Sequence, residues 1–167
     1  MKKFIRMVLV SCMILSLLLP NVAFASSGEV QEDWEDIFLT EEEFEEILSN
    51  NPSNEIQPLA TGLIGSYSIG ISKNGNTLII AGKTSCMVEV KKCGFSVLTI
   101  QRRTDSSDTW KNYLNYKDLY IDDCAYALAK RLNLASGYQY RVTCTHYAKK
   151  NILSVQKIDN VSNTVTF

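Results

Sequence analysis

Polar and apolar side chains alternate along the middle of the chain with the period of two that is typical of β-strands. Tyr67, Ile69 and Ile71 share one face of such a strand, and the serines and glycine between them share the other. The tetrapeptide Lys73–Asn76, with Asn-Gly at its centre, then leads into a second apolar run from Thr77 to Ala81. Asn-Gly between two apolar runs predicts a tight hairpin, because both central residues of a type I′ turn need positive φ.

The same alternation predicts several further short strands in the rest of the chain. A turn rich in Ser and Asp, at Asp105–Asp108, separates two of them. Seven or so short strands between Leu59 and the C-terminus predict an all-β fold, and specifically a β-sandwich. The further strands are expected at Thr84 to Val90, Phe95 to Arg102, Trp110 to Tyr116, Tyr138 to Tyr147 and about Ile152 to Ile158.

The segment from Cys124 to Leu134 fits two kinds of element. Its alanines and its Leu, Lys and Arg residues favour a helix, whereas its apolar positions also satisfy a period of two. We predict a strand, because Leu134, Gly137 and Tyr140 have the L-x-x-G-x-x-Y spacing of a tyrosine corner. In that arrangement the Tyr140 hydroxyl bonds back to the backbone just upstream and closes the connection between two strands of a Greek key.

The N-terminus has the three parts of a secretory signal peptide. Three basic residues precede an uncharged apolar run from Met7 to Leu19, which is too short to span a bilayer as a helix. A small-x-small motif then predicts cleavage between Ala25 and Ser26. We therefore expect a secreted, extracellular protein whose mature chain has no membrane span.

Cys12 offers an alternative interpretation of the same region. Residues Leu9–Cys12 match the pattern at which bacterial lipoproteins are cut and acylated. Seven more residues of the apolar run follow Cys12, whereas a lipid-attachment cysteine is expected to close that run. Cleavage after Ala25 is therefore the preferred interpretation.

Charge is divided unevenly along the chain. From Ser26 to Pro58 there are eleven acidic residues and no Lys or Arg, whereas from Leu59 to Phe167 there are fourteen Lys and Arg against seven Asp and Glu. We therefore divide the chain into a signal peptide (1–25), an acidic arm and linker (26–58) and a basic β-sandwich domain (59–167).

The acidic arm has apolar residues at helical spacing, and its Thr40 and Glu43 have the form of a capping box. One or two short amphipathic helices are expected there. Like charges four residues apart oppose an isolated helix, and a short helix is marginal in water. The arm therefore needs a partner to become ordered. It is either a solvated acidic spacer or a segment whose apolar stripe and carboxylates contact the basic domain.

Several motifs of the basic domain are similar to those of a known protein family. They are Gly137–Val142, Thr145–Ala148, Ile100–Arg102 and Trp110 at the start of a strand. Over roughly Gly65 to Phe167 the chain resembles a family of small secreted Gram-positive bacterial proteins that is known only as a domain of unknown function. The resemblance implies an immunoglobulin-like or fibronectin-like β-sandwich outside the cell and carries no catalytic residue over. The alanine-rich segment Cys124–Leu134 and the long acidic arm depart from the family pattern.

Four cysteines follow the predicted cleavage site, and an exported protein is expected to pair them as disulfides. If the strands follow the immunoglobulin-like order that the resemblance implies, all four lie at one end of the sandwich. The expected pairs are then Cys86 with Cys124 and Cys93 with Cys144, and an inter-sheet pair of Cys86 with Cys144 is the main alternative. A zinc site is disfavoured, because no Cys-x-x-Cys spacing exists.

His146 is the only histidine of the chain, and the strand register predicts that it shares a face with Cys144. A histidine can serve as a general base, but no nucleophile or paired-carboxylate motif accompanies this one. No glycine-rich phosphate loop is present either. We therefore expect a structural or surface histidine, a protein that is not an enzyme, and no cofactor or bound metal.

Basic residues occur as doublets near strand ends and are interleaved with tyrosines. This combination suits recognition of an anionic cell-wall polymer, a carbohydrate or a protein, although charges on edge strands also guard a sheet against aggregation. Nucleic acid is not an expected partner, because no recognised motif accompanies the charge. The residues are Lys91, Lys92, Arg102, Arg103, Lys130, Arg131, Arg141, Lys149 and Lys150, with Tyr113, Tyr116, Tyr120, Tyr138 and Tyr147.

Three functions compete at this point. The leading hypothesis is a secreted noncatalytic binding or interaction module of the bacterial cell exterior. The alternative is a cationic secreted effector, toxin-like or bacteriocin-like, that the acidic arm masks as a pro-segment. A hydrolase built on a sandwich is the third.

Overall fold

The computed structural model describes residues 34–52 and 62–167, which belong to one compact unit. The predicted signal peptide with Cys12, the Ala25–Ser26 cleavage site and most of the linker lie outside these residues. No helix within the described ranges is long and apolar enough to cross a membrane. The elements are β1 (Glu35–Asp36), α1 (Glu41–Ser49), β2 (Ile64–Asn74), β3 (Thr77–Cys86), β4 (Lys92–Arg103), β5 (Lys111–Ile121), β6 (Ala125–Asn133), β7 (Gln139–Asn151), β8 (Ser154–Val161) and β9 (Val165–Thr166).

The strands form two antiparallel sheets. The first sheet has the strand order β1-β6-β3-β2, and the second has the order β5-β4-β7-β8, with β9 paired to β7. The chain passes from β3 to the second sheet, returns to the first for β6, and crosses again to β7. This arrangement is a β-sandwich, which is the fold class that the alternating pattern predicts.

The core fills the space between the two sheets. Both inner faces contribute large side chains with less than 2% of their surface exposed, and these belong to one cluster. Burying such aliphatic and aromatic side chains contributes about 1.5–3 kcal/mol each. The cluster includes Ile69, Ile71, Leu78 and Ile80 from the first sheet and Phe95, Leu98, Ile100 and Val142 from the second.

Strand β3 differs from the sequence prediction. The pattern predicts two strands, Thr77–Ala81 and Thr84–Val90, where the structure has the single strand Thr77–Cys86 and no strand at 87–90. Gly82 lies in the middle of β3, and a Cβ atom there would be 2.8 Å from both Ile69 Cδ1 and Phe95 Cζ. The glycine therefore makes room for core side chains and does not mark a turn.

The segment Ala125–Asn133 forms strand β6, as predicted, and pairs with β3 over nine positions. The next residues form the tyrosine corner that the spacing predicts. Tyr140 is fully buried, and its hydroxyl donates a hydrogen bond to the Ala135 carbonyl at 3.0 Å. Gly137 has φ +85°, which L side chains rarely adopt, and Leu134 is buried in the core.

The described part of the acidic arm packs against the outer face of the first sheet. Thr40 and Glu43 form the predicted capping box at the start of α1. Near the end of the helix, Ile47 and Leu48 are buried against Ala81 of β3. A Cβ atom at Gly70 would overlap the Ile47 carbonyl oxygen, so the missing side chain lets the helix approach the sheet.

Beyond α1, the buried side chain of Asn51 joins the arm to both sheets. Its Nδ2 donates to the Ile69 carbonyl of β2 at 2.7 Å and to the Val161 carbonyl of β8 at 2.9 Å. At the other end of the arm, β1 extends the first sheet beyond β6. Trp34, next to β1, stacks on Tyr116 of the second sheet with 3.8 Å between ring centroids.

Candidate functional site

The outer face of the second sheet carries polar, aromatic and basic side chains. Residues of β7 alternate strictly, so that Tyr140, Val142 and Cys144 point into the core and the residues between them point outward. A bulge between Phe95 and Val97 resets the alternation in β4. Beyond the bulge, the outward side of β4 carries Gln101 and Arg103, beside Arg141 and Gln139 of β7.

At one end of this face, Trp110 lies against two arginines. The guanidinium carbons of Arg103 and Arg141 are each 4.4 Å from the centroid of its ring. We call Arg103, Trp110 and Arg141 the Arg–Trp cluster. Guanidinium groups stack favourably on aromatic faces, and contacts of this kind contribute about 0.5–1 kcal/mol at exposed sites.

Neutral amides hold both guanidiniums of the Arg–Trp cluster in place. Arg103 Nε donates to Gln139 Oε1 at 2.8 Å, and Arg141 Nε donates to Gln101 Oε1 at 2.8 Å. Gln101 is in turn fixed by Asn112, whose Oδ1 accepts from Gln101 Nε2 at 2.9 Å. These hydrogen bonds orient the arginines without neutralising their charge.

The two arginines also raise the local positive potential. Among the described residues, no carboxylate lies within 4.0 Å of Arg103 or Arg141, although hydrogen bonds and, to a lesser extent, the nearby charge of Arg103 lower the pKa of the Asp105 carboxyl. Burial, and to a lesser extent the neighbouring charge of Arg103, lowers the pKa of the Arg141 guanidinium, which nonetheless stays charged because its ordinary value is so high. Two like charges fixed side by side with several remaining N–H donors can bind an anion.

The other end of the same face carries the Tyr–Lys cluster, which we define as Lys92, Tyr120 and Tyr147. The two tyrosine rings are 5.5 Å apart, and Lys92 Nζ lies 4.1 Å from the Tyr120 ring centroid. Lys92 also donates a hydrogen bond to the Tyr120 hydroxyl at 3.0 Å, and this bond raises the pKa of Lys92. Arg141 and Tyr147 are six positions apart in β7, so the two clusters are roughly 20 Å apart along the strand.

Of the nine basic residues singled out in the sequence, six are divided among three places, and Lys91, Lys149 and Lys150 lie at the end of the second sheet where Lys92 pairs with Lys149. Lys92, Arg103 and Arg141 lie on the outer face just described. Arg102 instead stacks over Tyr113 and Tyr138 at 4.1 and 4.7 Å, beside the core. Lys130 and Arg131 lie in β6 of the first sheet and contact the acidic arm. Three residues of the outer face were missed by the sequence pattern: Gln101, Asn112 and Gln139.

His146 lies inside the sandwich and is not exposed. Its Nδ1 is 2.8 Å from Thr84 Oγ1, and the Thr84 hydroxyl donates to the Gly94 carbonyl at 3.1 Å. His146 Nε2 lies 3.5 Å from the Cys144 sulfur, and the ring tautomer sets which group donates at each of the two nitrogens. Burial lowers the pKa of His146 to about 3, so the ring is neutral at physiological pH. The structure thus places His146 and Cys144 on one face, as predicted, but in the core.

The cysteines are not arranged as the preferred pairing requires. Cys93 pairs in register with Ala148 of β7, whereas Cys144 pairs with Leu98. Ala148, the residue opposite Cys93, is four positions from Cys144 in β7. The two cysteines are therefore roughly 13 Å apart along the strand direction, which is outside disulfide range. The pairing of Cys93 with Cys144 therefore does not fit the structure. Strand β7 runs on to Asn151, so Cys144 lies at its centre and not near its end.

The alternative pairing of Cys86 with Cys144 fails for the same reason, because Cys86 lies beside Cys93 with 3.4 Å between their sulfurs. Cys124 is next to Cys86, whose backbone N–H donates to the Cys124 carbonyl at 2.7 Å. All four cysteines are free thiols in this structure. In the part of the chain that is described, no group of three or more His, Cys, Asp or Glu side chains could hold a metal ion.

Comparison with known proteins gives no relative for this chain: no family model, no curated protein and no solved structure matches it. The fold and the outer face therefore define a class only, a β-sandwich with a basic and aromatic surface on one sheet.

Proposed function

We propose that this protein is a secreted, noncatalytic binding module of the bacterial cell exterior, and that the outer face of its second sheet binds an anionic cell-wall polymer. The Arg–Trp cluster carries this proposal. Arg103 and Arg141 are held only 4.4 Å from one indole ring, and no carboxylate of the described residues pairs with either. Placing two like charges together is unfavourable unless an anion joins them.

A polymer suits the face better than a small anion, because charge and aromatic surface recur along it. The Tyr–Lys cluster supplies a second cation and two rings roughly 20 Å from Arg141. Between the two clusters the outward positions of β7 are Thr143 and Thr145. The Thr145 hydroxyl donates to the Asp159 carboxylate at 2.6 Å, so the Thr143 hydroxyl is the one that suits a phosphate or sugar oxygen. A phosphate-rich chain lying along β7 would meet a cation at each end and the Thr143 hydroxyl between them, on the side of β7 away from Asp159.

Replacing both arginines is expected to abolish most of this binding. The variant Arg103→Gln/Arg141→Gln should bind soluble polyphosphate about 100-fold more weakly, because each charge-assisted hydrogen bond to an anion contributes on the order of 1.5 kcal/mol. Isothermal titration calorimetry at 50 and 300 mM salt would measure the affinity. Wild-type binding should weaken at the higher salt, since added ions screen exposed charges.

The matched control is the variant Lys83→Gln/Arg131→Gln, which removes two positive charges from the first sheet. Its affinity should stay within about threefold of wild type, because its charges lie on the other sheet. An equal loss of affinity in both double variants would show that net charge alone attracts the polymer, and the proposed face would then have no special role.

A second candidate function, an effector masked by the acidic arm, is favoured by the distribution of ion pairs. Each ion pair among the described residues joins an arm carboxylate to a basic residue of the domain. Exposed pairs contribute little, about 0–1 kcal/mol each, so the buried Ile47, Leu48 and Asn51 hold the arm more strongly. The pairs are Glu35 with Arg131 at 2.7 Å, Asp36 with Lys130 at 2.5 Å and Glu45 with Lys83 at 4.0 Å.

The mass of the secreted product distinguishes the two functions. A binding module with a built-in arm is expected to yield one product that begins near Ser26 and keeps α1. A masked effector should instead yield a product that begins near Leu59, with Lys83, Lys130 and Arg131 released from their partners. Intact mass spectrometry of culture supernatant, with N-terminal sequencing, makes the measurement.

A further inference from the structure

Three cysteines meet at one end of the sandwich, which we call the cysteine pole. Cys86 ends β3, Cys93 lies at the start of β4, and Cys124 immediately precedes β6. The Cys86 and Cys93 sulfurs are 3.4 Å apart and form a thiol hydrogen bond. The fourth cysteine of the described chain, Cys144, is buried at a different level of the sheet, beside His146.

Cys86 is the central member of the cysteine pole. Strands β3 and β6 pair antiparallel up to Ser85 and Ala125, so Cys86 and Cys124 oppose each other at the next position. Opposed residues of an antiparallel pair have Cα atoms about 4.5–5.5 Å apart, which lies within the range that a disulfide spans. Cys86 can therefore form a disulfide with either neighbour without a change of fold.

The three thiols differ sharply in exposure. Cys93 is fully buried, Cys86 is partly buried and Cys124 is exposed. Burial raises the pKa of Cys86, and it raises the pKa of Cys93 to about 12. Thiols in such surroundings are poor nucleophiles, so reaction with a reagent in solution should begin elsewhere.

An open cavity of about 350 Å³ leads from solvent to Cys124 and Cys86. Its walls are the connection from β3 to β4 and the turn before β6, residues 86–90 and 122–124. Because the cavity is open, one half of a small disulfide such as oxidised glutathione can enter it while the other half stays in solvent, and the disulfide bond then meets the exposed thiol first.

We propose that the cysteine pole is a thiol–disulfide exchange site, in which Cys124 forms a mixed disulfide with a small disulfide and the disulfide bond is then passed to Cys86 and Cys93. This inference goes beyond polymer binding and does not depend on it. The oxidant is the incoming disulfide, which is reduced to two thiols while two cysteines of the protein are oxidised.

The exchange proceeds in three balanced steps. The deprotonated sulfur of Cys124 attacks the small disulfide, forms a mixed disulfide and releases one thiolate, which takes up a proton. Cys86 loses its proton and attacks the Cys124 sulfur, so that a Cys86–Cys124 disulfide forms and the second small thiol leaves. Cys93 then attacks Cys86 in the same way, which leaves a Cys86–Cys93 disulfide and restores the Cys124 thiol.

The experiment follows the oxidation of the reduced chain by oxidised glutathione. The full chain carrying Cys12→Ser is used, so that only the four described cysteines react. Samples are quenched with acid and N-ethylmaleimide, digested with trypsin and mapped without reduction. Trypsin cuts after Lys91 and Lys92, between Cys86 and Cys93, so a disulfide between them joins two separate peptides.

The expected result is a transient glutathione adduct on Cys124, then a Cys86–Cys93 disulfide and two molecules of reduced glutathione per chain. In the Cys124→Ser variant, and in the native chain with Cys124 alkylated beforehand, that disulfide should form at least tenfold more slowly. Cys144 serves as an internal control, because it should react only after denaturation.

Three outcomes would overturn the proposal. Equal rates in wild type and Cys124→Ser would mean that Cys124 is not the entry point. A glutathione adduct that stays on Cys124 would mean that no transfer occurs. A disulfide that involves Cys144 would contradict the register that separates it from the cysteine pole.

Discussion

Acidification from pH 7 to pH 4.5 is expected to lower the free energy of unfolding by about 2.5 kcal/mol, through His146 alone. The buried ring has a pKa of about 3 in the folded chain, against an ordinary value of 6.5. Between these values the unfolded chain binds a proton that the folded chain does not. Stability is therefore complete above pH 6.5 and falls as the pH decreases towards 3.

The decrease in stability at acidic pH follows from the surroundings of His146. In the core, both ring nitrogens of His146 contact neutral groups, Thr84 Oγ1 at Nδ1 and Cys144 Sγ at Nε2, so a second proton on the ring would place an uncompensated charge there. The ring also lies 4.7 Å from the Phe95 centroid and 5.1 Å from that of Tyr67. No carboxylate of the described residues pairs with His146, so nothing there would stabilise the imidazolium.

Urea unfolding at pH 7.0, 5.5 and 4.5 measures the effect. The control is His146→Gln, which lowers stability at pH 7 but removes the titrating group, so its stability should change little over this range. Hydrogen bonds lower the pKa values of Glu43 and Asp105 below ordinary values of 4.5 and 3.8, so these carboxylates affect stability only at more acidic pH. A wild-type curve that is flat from pH 7 to 4.5 would contradict a buried neutral histidine.

Short-range patterns were sufficient for most of the fold. Period-two alternation identified the strands, and the spacing of Leu134, Gly137 and Tyr140 favoured a strand for the alanine-rich segment before it, against its helix propensity. The structure shows why this inference succeeded: the Tyr140–Ala135 hydrogen bond and nine paired positions between β3 and β6 outweigh a difference in propensity of a few tenths of a kcal/mol per residue.

Long-range register explains what the sequence could not predict. The disulfide prediction depended on where β7 ends, and its extension to Asn151 moves Cys144 to the centre of the strand. The Arg–Trp cluster depends on a bulge between Phe95 and Val97 of β4. Because the bulge shifts the alternation of side chains, Arg103 faces outward beside Arg141, and Arg102 faces inward and packs on Tyr113. No local signal in the sequence specifies that bulge.

Replacing Gly94 with alanine is expected to destabilise the domain by about 3–4 kcal/mol, the largest single-residue effect we predict. Gly94 has φ +149°, a conformation that costs an L-residue about 1–2 kcal/mol. A Cβ atom there would also overlap the Leu119 carbonyl oxygen and lie 2.7 Å from Tyr120 Cα. Both are backbone atoms of β5 that can move only if the pairing of β4 with β5 opens, and such overpacking adds about 1–3 kcal/mol.

Gly75→Ala provides the matched control for that variant. Gly75 also has positive φ, +60°, but a Cβ atom there would meet nothing within 4 Å. Its substitution should therefore cost only the conformational strain, about 1 kcal/mol. Thermal and urea unfolding of both variants and of wild type measures the two effects, because Gly75→Ala reports backbone strain alone and Gly94→Ala reports strain plus steric overlap. Equal decreases in the free energy of unfolding would contradict the close approach of β4 and β5.

The same glycine links stability to the candidate site. Gly94 of β4 pairs with Tyr120 of β5 on one side and with Tyr147 of β7 on the other. Because Gly94 has no side chain, the two tyrosine rings can approach each other over β4, with 5.5 Å between their centroids. At temperatures where Gly94→Ala remains folded, we expect weaker polyphosphate binding than in Gly75→Ala, because the Tyr–Lys cluster must open as β5 moves. Unchanged affinity in a folded Gly94→Ala variant would confine the polymer site to the Arg–Trp cluster.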